Sequence, residues 1–159
     1  MTLMTDDCCT TGQTGRRGTY DLAVIGAGSA GFSAAITAAE LGVRVALIGH
    51  GTIGGTCVNV GCVPSKTLIR AAETLHQART AARFSGIEAR VGLIDWSATV
   101  AQKDELVGAL RQAKYKDLLA AYEPITYVEG RARLATDGVL VEGEPLRAGK
   151  VVITTGAPT

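Results

Sequence analysis

Residues 20–49 read YDLAVIGAGSAGFSAAITAAELGVRVALIG, an order of residue types that few folds accommodate. YDLAVIG (20–26) is a short apolar run of strand length. Ser29 to Leu41 is Ala-rich and helical in character, and Gly42 is a natural stop. VRVALIG (43–49) is a second strand-like run. Strand, glycine turn, helix and strand make a parallel βαβ unit, whose crossover is almost always right-handed. The turn is G-x-G-x-x-G, with Gly26, Gly28 and Gly31. Each glycine has a task in this setting. Gly26 permits the tight turn, Gly28 lets the backbone approach a pyrophosphate, and Gly31 lets helix and strand pack closely. Unpaired N–H groups and the positive end of the helix dipole then face the phosphates. An acidic residue for the adenosine ribose ordinarily ends the second strand. Here Gly49 stands at that place, followed by His50. Either His50 or a backbone group meets the ribose hydroxyls, or His50 is only an exposed loop residue.

The chain has 159 residues, 47% of them apolar, which suffices for one domain with a core. Its net charge is +1, with acids and bases interspersed, so electrostatics offer no case for a nucleic acid or an anionic membrane as partner. Residues 22–39 are uncharged over a membrane-spanning length, but they hold three glycines, two serines and a threonine and split into a strand half and a helical half. Residues 1–18 are polar, aperiodic and without an apolar signal core, and read as a flexible N-terminal arm. A reducing cytoplasm is the expected location, where a cysteine pair serves catalysis or metal binding more often than structure.

Beyond the βαβ unit, Pro64 suits the first turn of a helix running from Ser65 to about Ala82. A second helix is expected from Ser97 to Tyr122, with Val100, Leu106, Val107, Leu110, Leu118 and Leu119 mainly on one side, ended by Pro124. ITYVEGRARL, GVLVEG and KVVITTG then alternate with turns, which predicts two antiparallel strands leading into a buried one. A buried strand running into the Gly-Pro turn of KVVITTGAPT is expected to belong to a domain that continues.

Residues 54–66 read GGTCVNVGCVPSK and hold two of the four cysteines, Cys57 and Cys62. In an undistorted helix, residues five apart have Cα atoms roughly 8–9 Å apart. A disulfide needs about 4.4–6.8 Å. The pair can bond only if the turn is distorted, and Asn59 and Gly61 between them tolerate unusual dihedrals. Lys66 follows Cys62 by one helical turn, where a cation favours a thiolate or an electron-rich ring nearby. Two ligands alone do not complete a zinc site. Cys8 and Cys9 are adjacent in the arm; they capture a soft metal ion or are two exposed thiols without a role.

GGTCVNVGCVPSK closely resembles the redox-active segment of the flavoprotein pyridine-nucleotide disulfide oxidoreductases, and it lies at the right distance after G-x-G-x-x-G. The resemblance runs from about Tyr20 to the end, where Thr154-Thr155-Gly156 stands in place of a common Ala-Thr-Gly. It implies an α/β, Rossmann-like FAD-binding domain: a parallel βαβ core with a small antiparallel β meander. Residues 19–159 would be the N-terminal part of such a discontinuous domain, and therefore incomplete. Within the family, HGTIGGTCVNVGCVPSKTLIRAA and LRQAKYKDLL are similar to segments of the members that reduce mercury(II).

The resemblance also implies roles. NADPH or NADH reduces FAD, and FAD reduces a Cys57–Cys62 disulfide. Cys62 would be the thiolate against the flavin, Cys57 the outer thiol that meets substrate, and Lys66 a cation near the flavin ring. Gly26, Gly28 and Gly31 would hold the FAD pyrophosphate, with Thr56, His50, Thr155 and Gly156 also at the cofactor. Hg(II), free or thiol-bound, would be the substrate on Cys57 and Cys62, because soft ions prefer thiolates. The nicotinamide domain, the homodimer interface and a C-terminal cysteine pair would lie outside this chain, leaving the isolated fragment inactive. Two other readings stay open: a disulfide oxidoreductase acting on dihydrolipoamide or glutathione, and a non-catalytic flavin- or thiol-based redox sensor.

Overall fold

A computed structural model describes residues 19–136 and 138–156 of the chain. The arm of residues 1–18, with Cys8 and Cys9, lies outside the described residues. The βαβ unit forms as its residue pattern dictates. Strand β1 (Tyr20–Ile25) leads through the glycine turn into helix α1 (Ser29–Glu40), and β2 (Val45–Gly49) returns parallel to β1. Helix α2 (Gly55–Asn59) and helix α3 (Cys62–Arg79) follow, then α4 (Trp96–Arg111), a π-helical turn at Gln112–Lys116 and α5 (Asp117–Ala121). Strands β3 (Ile125–Glu129), β4 (Ala132–Ala135), β5 (Gly138–Val141), β6 (Glu144–Leu146) and β7 (Ala148–Ile153) complete it.

The main sheet is parallel, in the order β3-β2-β1-β7, and β4-β5-β6 form a separate antiparallel sheet. Alternate residues of β1 and β2 face opposite layers. Val24, Val45 and Leu47 pack with Phe32, Ala35, Val58 and Tyr115 from the helices. Ala23, Ile25, Ala46 and Ile48 pack with Val139, Val141 and Leu146 of the antiparallel sheet. With both faces covered, the two strands can be apolar throughout. Full burial of a Val, Leu or Ile side chain here contributes on the order of 1.5–3 kcal/mol.

Three expectations need correction. ITYVEGRARL is not one run in one sheet: the chain leaves the parallel sheet after Glu129 and enters the antiparallel one at Ala132, across Gly130. The meander therefore has three strands rather than two. The last strand, β7, is not buried. Among the described residues it is an edge strand of the parallel sheet, and Ile153 is 59% exposed. Finally, α3 begins at Cys62, before Pro64, and ends at Arg79.

The long helical segment after Asp95 is continuous with the expectation, but its phase changes. Eight α-helical residues would leave Tyr115 about 80° away from Val107 around the axis. The extra residue of a π turn removes most of that offset. Val107 and Tyr115 are both buried, whereas Leu106 is exposed.

Candidate active site

The chain steps outward from β1 to β2 and β3, then returns to the other side of β1 as β7. Ligands of open α/β sheets bind at such a reversal, outside the carboxyl ends of the strands. A cleft of about 750 Å³ lies there. Gly26 to Ala30, Gly49, His50, Thr52 to Cys57, Tyr127, Gly130 to Arg133 and Thr154 to Gly156 line it.

The glycine turn is built as its sequence suggests. Gly26 has φ +119°, and a Cβ there would lie 2.3 Å from the Thr154 carbonyl oxygen. A Cβ on Gly31 would lie 1.8 Å from the Gly26 carbonyl oxygen, so only glycine lets α1 sit this close to β1. Gly28 differs: a Cβ there would meet only the Gly55 Cα, at 3.7 Å. Protein packing would tolerate a side chain at Gly28; what its absence keeps clear is the cleft. Helix α1 has no side-chain cap at its N-terminus, and Ser29 and Ala30 line the cleft, so its first amide donors remain available there. Thr154 locks the turn from the far side. Its hydroxyl donates to the carbonyl oxygens of Gly26 at 3.0 Å and Ile25 at 3.1 Å.

The cysteine segment crosses the turn. The Gly54 amide donates to the Ala27 carbonyl at 2.9 Å, which fixes α2 beside α1. The helix that would separate the cysteines is broken between α2 and α3. Gly61, with φ −110° and ψ −112°, re-aims the chain, and its amide donates to the Thr56 carbonyl at 2.7 Å. A Cβ on Gly61 would press the Thr56 carbonyl oxygen at 3.0 Å and the Cys57 Cα at 3.3 Å. This is the distortion that the five-residue spacing demanded. Cys57 and Cys62 are exposed free thiols here. A side-chain hydrogen bond with Cys62 pushes the Cys57 pKa above its ordinary range; burial adds to the rise, and the Lys66 charge opposes it.

The cleft thus gathers Gly26, Gly28, His50, Thr56, Cys57, Thr155 and Gly156, while Gly31 packs behind it. Cys62 and Lys66 do not line it. Cys62 is joined to it through Cys57, and Lys66 acts on that thiol through its charge.

Sequence reading missed three supports. Asn59 donates to the carbonyls of Ile53 at 3.0 Å and Gly55 at 2.8 Å, and accepts from Arg111 Nε at 2.7 Å. Tyr115 hydrogen-bonds the Ser29 hydroxyl at 3.0 Å and meets the Phe32 ring edge-on at 4.8 Å. Thr154 pins the glycine turn. The only sequence signal for Arg111 and Tyr115 was the LRQAKYKDLL segment. Among the described residues, no group of three or more His, Cys, Asp and Glu side chains could hold a metal ion. No described helix is long and apolar enough to cross a membrane.

Residues 20–159 match the family model described as pyridine nucleotide-disulphide oxidoreductase. A mercuric reductase of Lysinibacillus sphaericus is 45% identical over 87% of this chain and 25% of its own. One of Streptomyces lividans is 51% identical over 77% of this chain and 26% of its own. The chain thus spans about a quarter of the length of these relatives. Among solved structures, the HOCl-induced flavoprotein disulfide reductase RclA from Escherichia coli superposes with a TM-score of 0.70 at 33% identity, over 88% of this chain and 29% of that one. Together with the parallel sheet and its glycine turn, these likenesses give the fold as a Rossmann-like FAD-binding one. The chain belongs to the pyridine nucleotide-disulphide oxidoreductase family, a family of oxidoreductases.

Proposed function

We propose that residues 19–159 are the first part of the FAD-binding domain of a mercury(II) reductase, a larger enzyme that reduces Hg(II) to Hg(0) with NADPH. The observation that carries the reading is a pair of adjoining thiols, one of which, Cys57, lines the cleft beside the glycine turn. The relatives named mercuric reductase support the choice of substrate. The residues present fit a dinucleotide. The cleft has the volume of a cofactor site, the α1 amide donors are uncapped, and the missing Gly28 side chain leaves clear space. Gly26, Gly28, Thr56, Thr155 and Gly156 would hold the FAD. When bound, FAD supplies a two-electron relay from pyridine nucleotide to the cysteine pair.

The chain's own residues then divide the work. Reduction of a Cys57–Cys62 disulfide takes two electrons and two protons and leaves two thiols. Hg(II) displaces both protons and is held by two sulfurs, which suits a soft ion. Two further electrons convert the ion to Hg(0) and free it. The Cys57 proton is held by the contact with Cys62, so the pair keeps a proton near the substrate position. Lys66 favours the thiolate that ligates the metal. A catalytic pair that cycles between disulfide and thiols suits a reducing cytoplasm.

The test is NADPH oxidation by the full-length protein given Hg(II) and excess thiol. Cys57→Ala and Cys62→Ala should each remove it. The likeness to a flavoprotein disulfide reductase supports a second reading, with a disulfide as substrate. Lipoamide or oxidised glutathione turned over efficiently, with no response to Hg(II), would replace the first reading by the second.

A further inference from the structure

Where β2 ends, a dinucleotide fold ordinarily presents a carboxylate to the adenosine ribose. Here the position is Gly49, and the space beside it is taken. A Cβ on Gly49 would lie 2.7 Å from the Tyr127 hydroxyl and 2.6 Å from the Ala27 Cβ. Tyr127 comes from the neighbouring strand β3, paired with Leu47, and its ring reaches the last residue of β2, Gly49. The volume that a side chain at position 49 would enter is therefore filled by a phenol from position 127. That phenol lines the cleft, and its hydroxyl has no hydrogen-bond partner among the described residues. Burial, and then the Glu129 charge, push its pKa up, so it stays neutral and can both donate and accept.

Beside it stands a second arrangement. Arg131 Nε donates to His50 Nε2 at 3.2 Å. With Nε2 accepting, the neutral ring carries its proton on Nδ1 and offers a donor there. His50 follows directly on Gly49 and Arg131 lies just past the end of β3, and both line the same cleft as Tyr127.

We propose that Tyr127 stands in for the carboxylate that β2 lacks: its hydroxyl, with the His50 ring oriented by Arg131, binds the ribose hydroxyls of the dinucleotide's adenosine half. The inference rests on reading the cleft as a dinucleotide site. Gly49 and Tyr127 are then two sides of one exchange, since a larger residue 49 and a phenol at 127 compete for the same space. A phosphorylated ribose is the competing ligand, because Arg131 and Arg133 are cations that also line the cleft.

The full-length protein, stripped of flavin, is titrated with FAD by fluorescence. Tyr127→Phe keeps the ring and removes only the hydroxyl. It should weaken FAD about 3–10-fold, the range of one hydrogen bond. An FAD analogue lacking the adenosine ribose 2′-hydroxyl should bind wild type more weakly than FAD does. It should lose nothing further in a Tyr127→Phe, His50→Ala double variant. Unchanged FAD affinity in that double variant overturns the proposal, as does tighter competition by 2′,5′-ADP than by 5′-ADP. Gly28→Val separates the two levels. If wild type binds FAD and Gly28→Val does not, failure at Tyr127 sinks this inference alone. If wild type binds no FAD, the dinucleotide reading falls with it.

Discussion

The strands under the glycine turn and the helix that carries Lys66 are built on opposite terms. In β2 every residue is buried, and Val45, Ala46 and Leu47 have no exposed surface. In α3, over 18 residues, none is buried, and Ile69 is 54% exposed. The apolar surface continues into the following segment, where Ile87, Leu93 and Trp96 are each more than half exposed. The glycine-turn side of the cleft is thus held by a core of its own. The thiol side rests on a surface helix, tied down at its start by Asn59, Arg111 and the Gly61 break.

The largest test of this contrast is a pair of truncations. Leu47→Ala should cost about 2–5 kcal/mol in urea unfolding, since the side chain is fully buried between α1 and the sheet. Ile69→Ala should stay within about 0.5 kcal/mol. An equal loss at both positions would break the comparison, because it would mean that α3 is covered by something other than the described residues.

A smaller effect is expected at the thiols. The Cys57 pKa is raised chiefly by its hydrogen bond with Cys62. In reduced Cys62→Ala protein the main cause of the rise is gone, so alkylation of Cys57 should begin at lower pH than in reduced wild type. A profile unmoved by the substitution would mean that the contact with Cys62 is not what raises the Cys57 pKa.

The smallest effect concerns the start of α4, on the exposed side. Asp95 caps that helix, accepting from the Ala98 amide at 3.0 Å and the Ser97 hydroxyl at 2.6 Å. The Ser97 hydroxyl first, then the Ala98 amide, holds its carboxyl below the usual carboxylate range. A depressed folded pKa stabilises the protein above the ordinary carboxylate pKa, and the gain disappears as pH falls through the depressed value. Asp95→Ala should therefore lower Tm slightly at neutral pH, and the difference from wild type should close in acid. A gap that persists at the lowest pH would assign the effect to something other than the charged cap.

Much of the nucleotide side was legible because its causes are local. The apolar runs of β1 and β2, the positive φ of Gly26 and the close packing of Gly31 follow from residues near one another in sequence. The distorted turn between Cys57 and Cys62 was also legible, since their spacing requires it for contact. The place of β7 was not legible, because an apolar run does not say whether a further strand lies beside it; among the described residues none does. KVVITTG has the composition of a central strand and the place of an edge.

By itself the sequence determined the βαβ unit, the glycine turn and the presence of two thiols within one short segment, through backbone sterics and apolar periodicity. Tertiary structure decided which distant residues complete the site. Arg111 reaches Asn59 across 52 residues, Tyr115 reaches Ser29 across 86, and Tyr127 fills the space beside Gly49. Those contacts depend on a π turn, on the order of strands in a sheet and on the crossing of one loop over another. None of these leaves a periodic trace, because each is set by where chain segments meet rather than by how any one of them repeats.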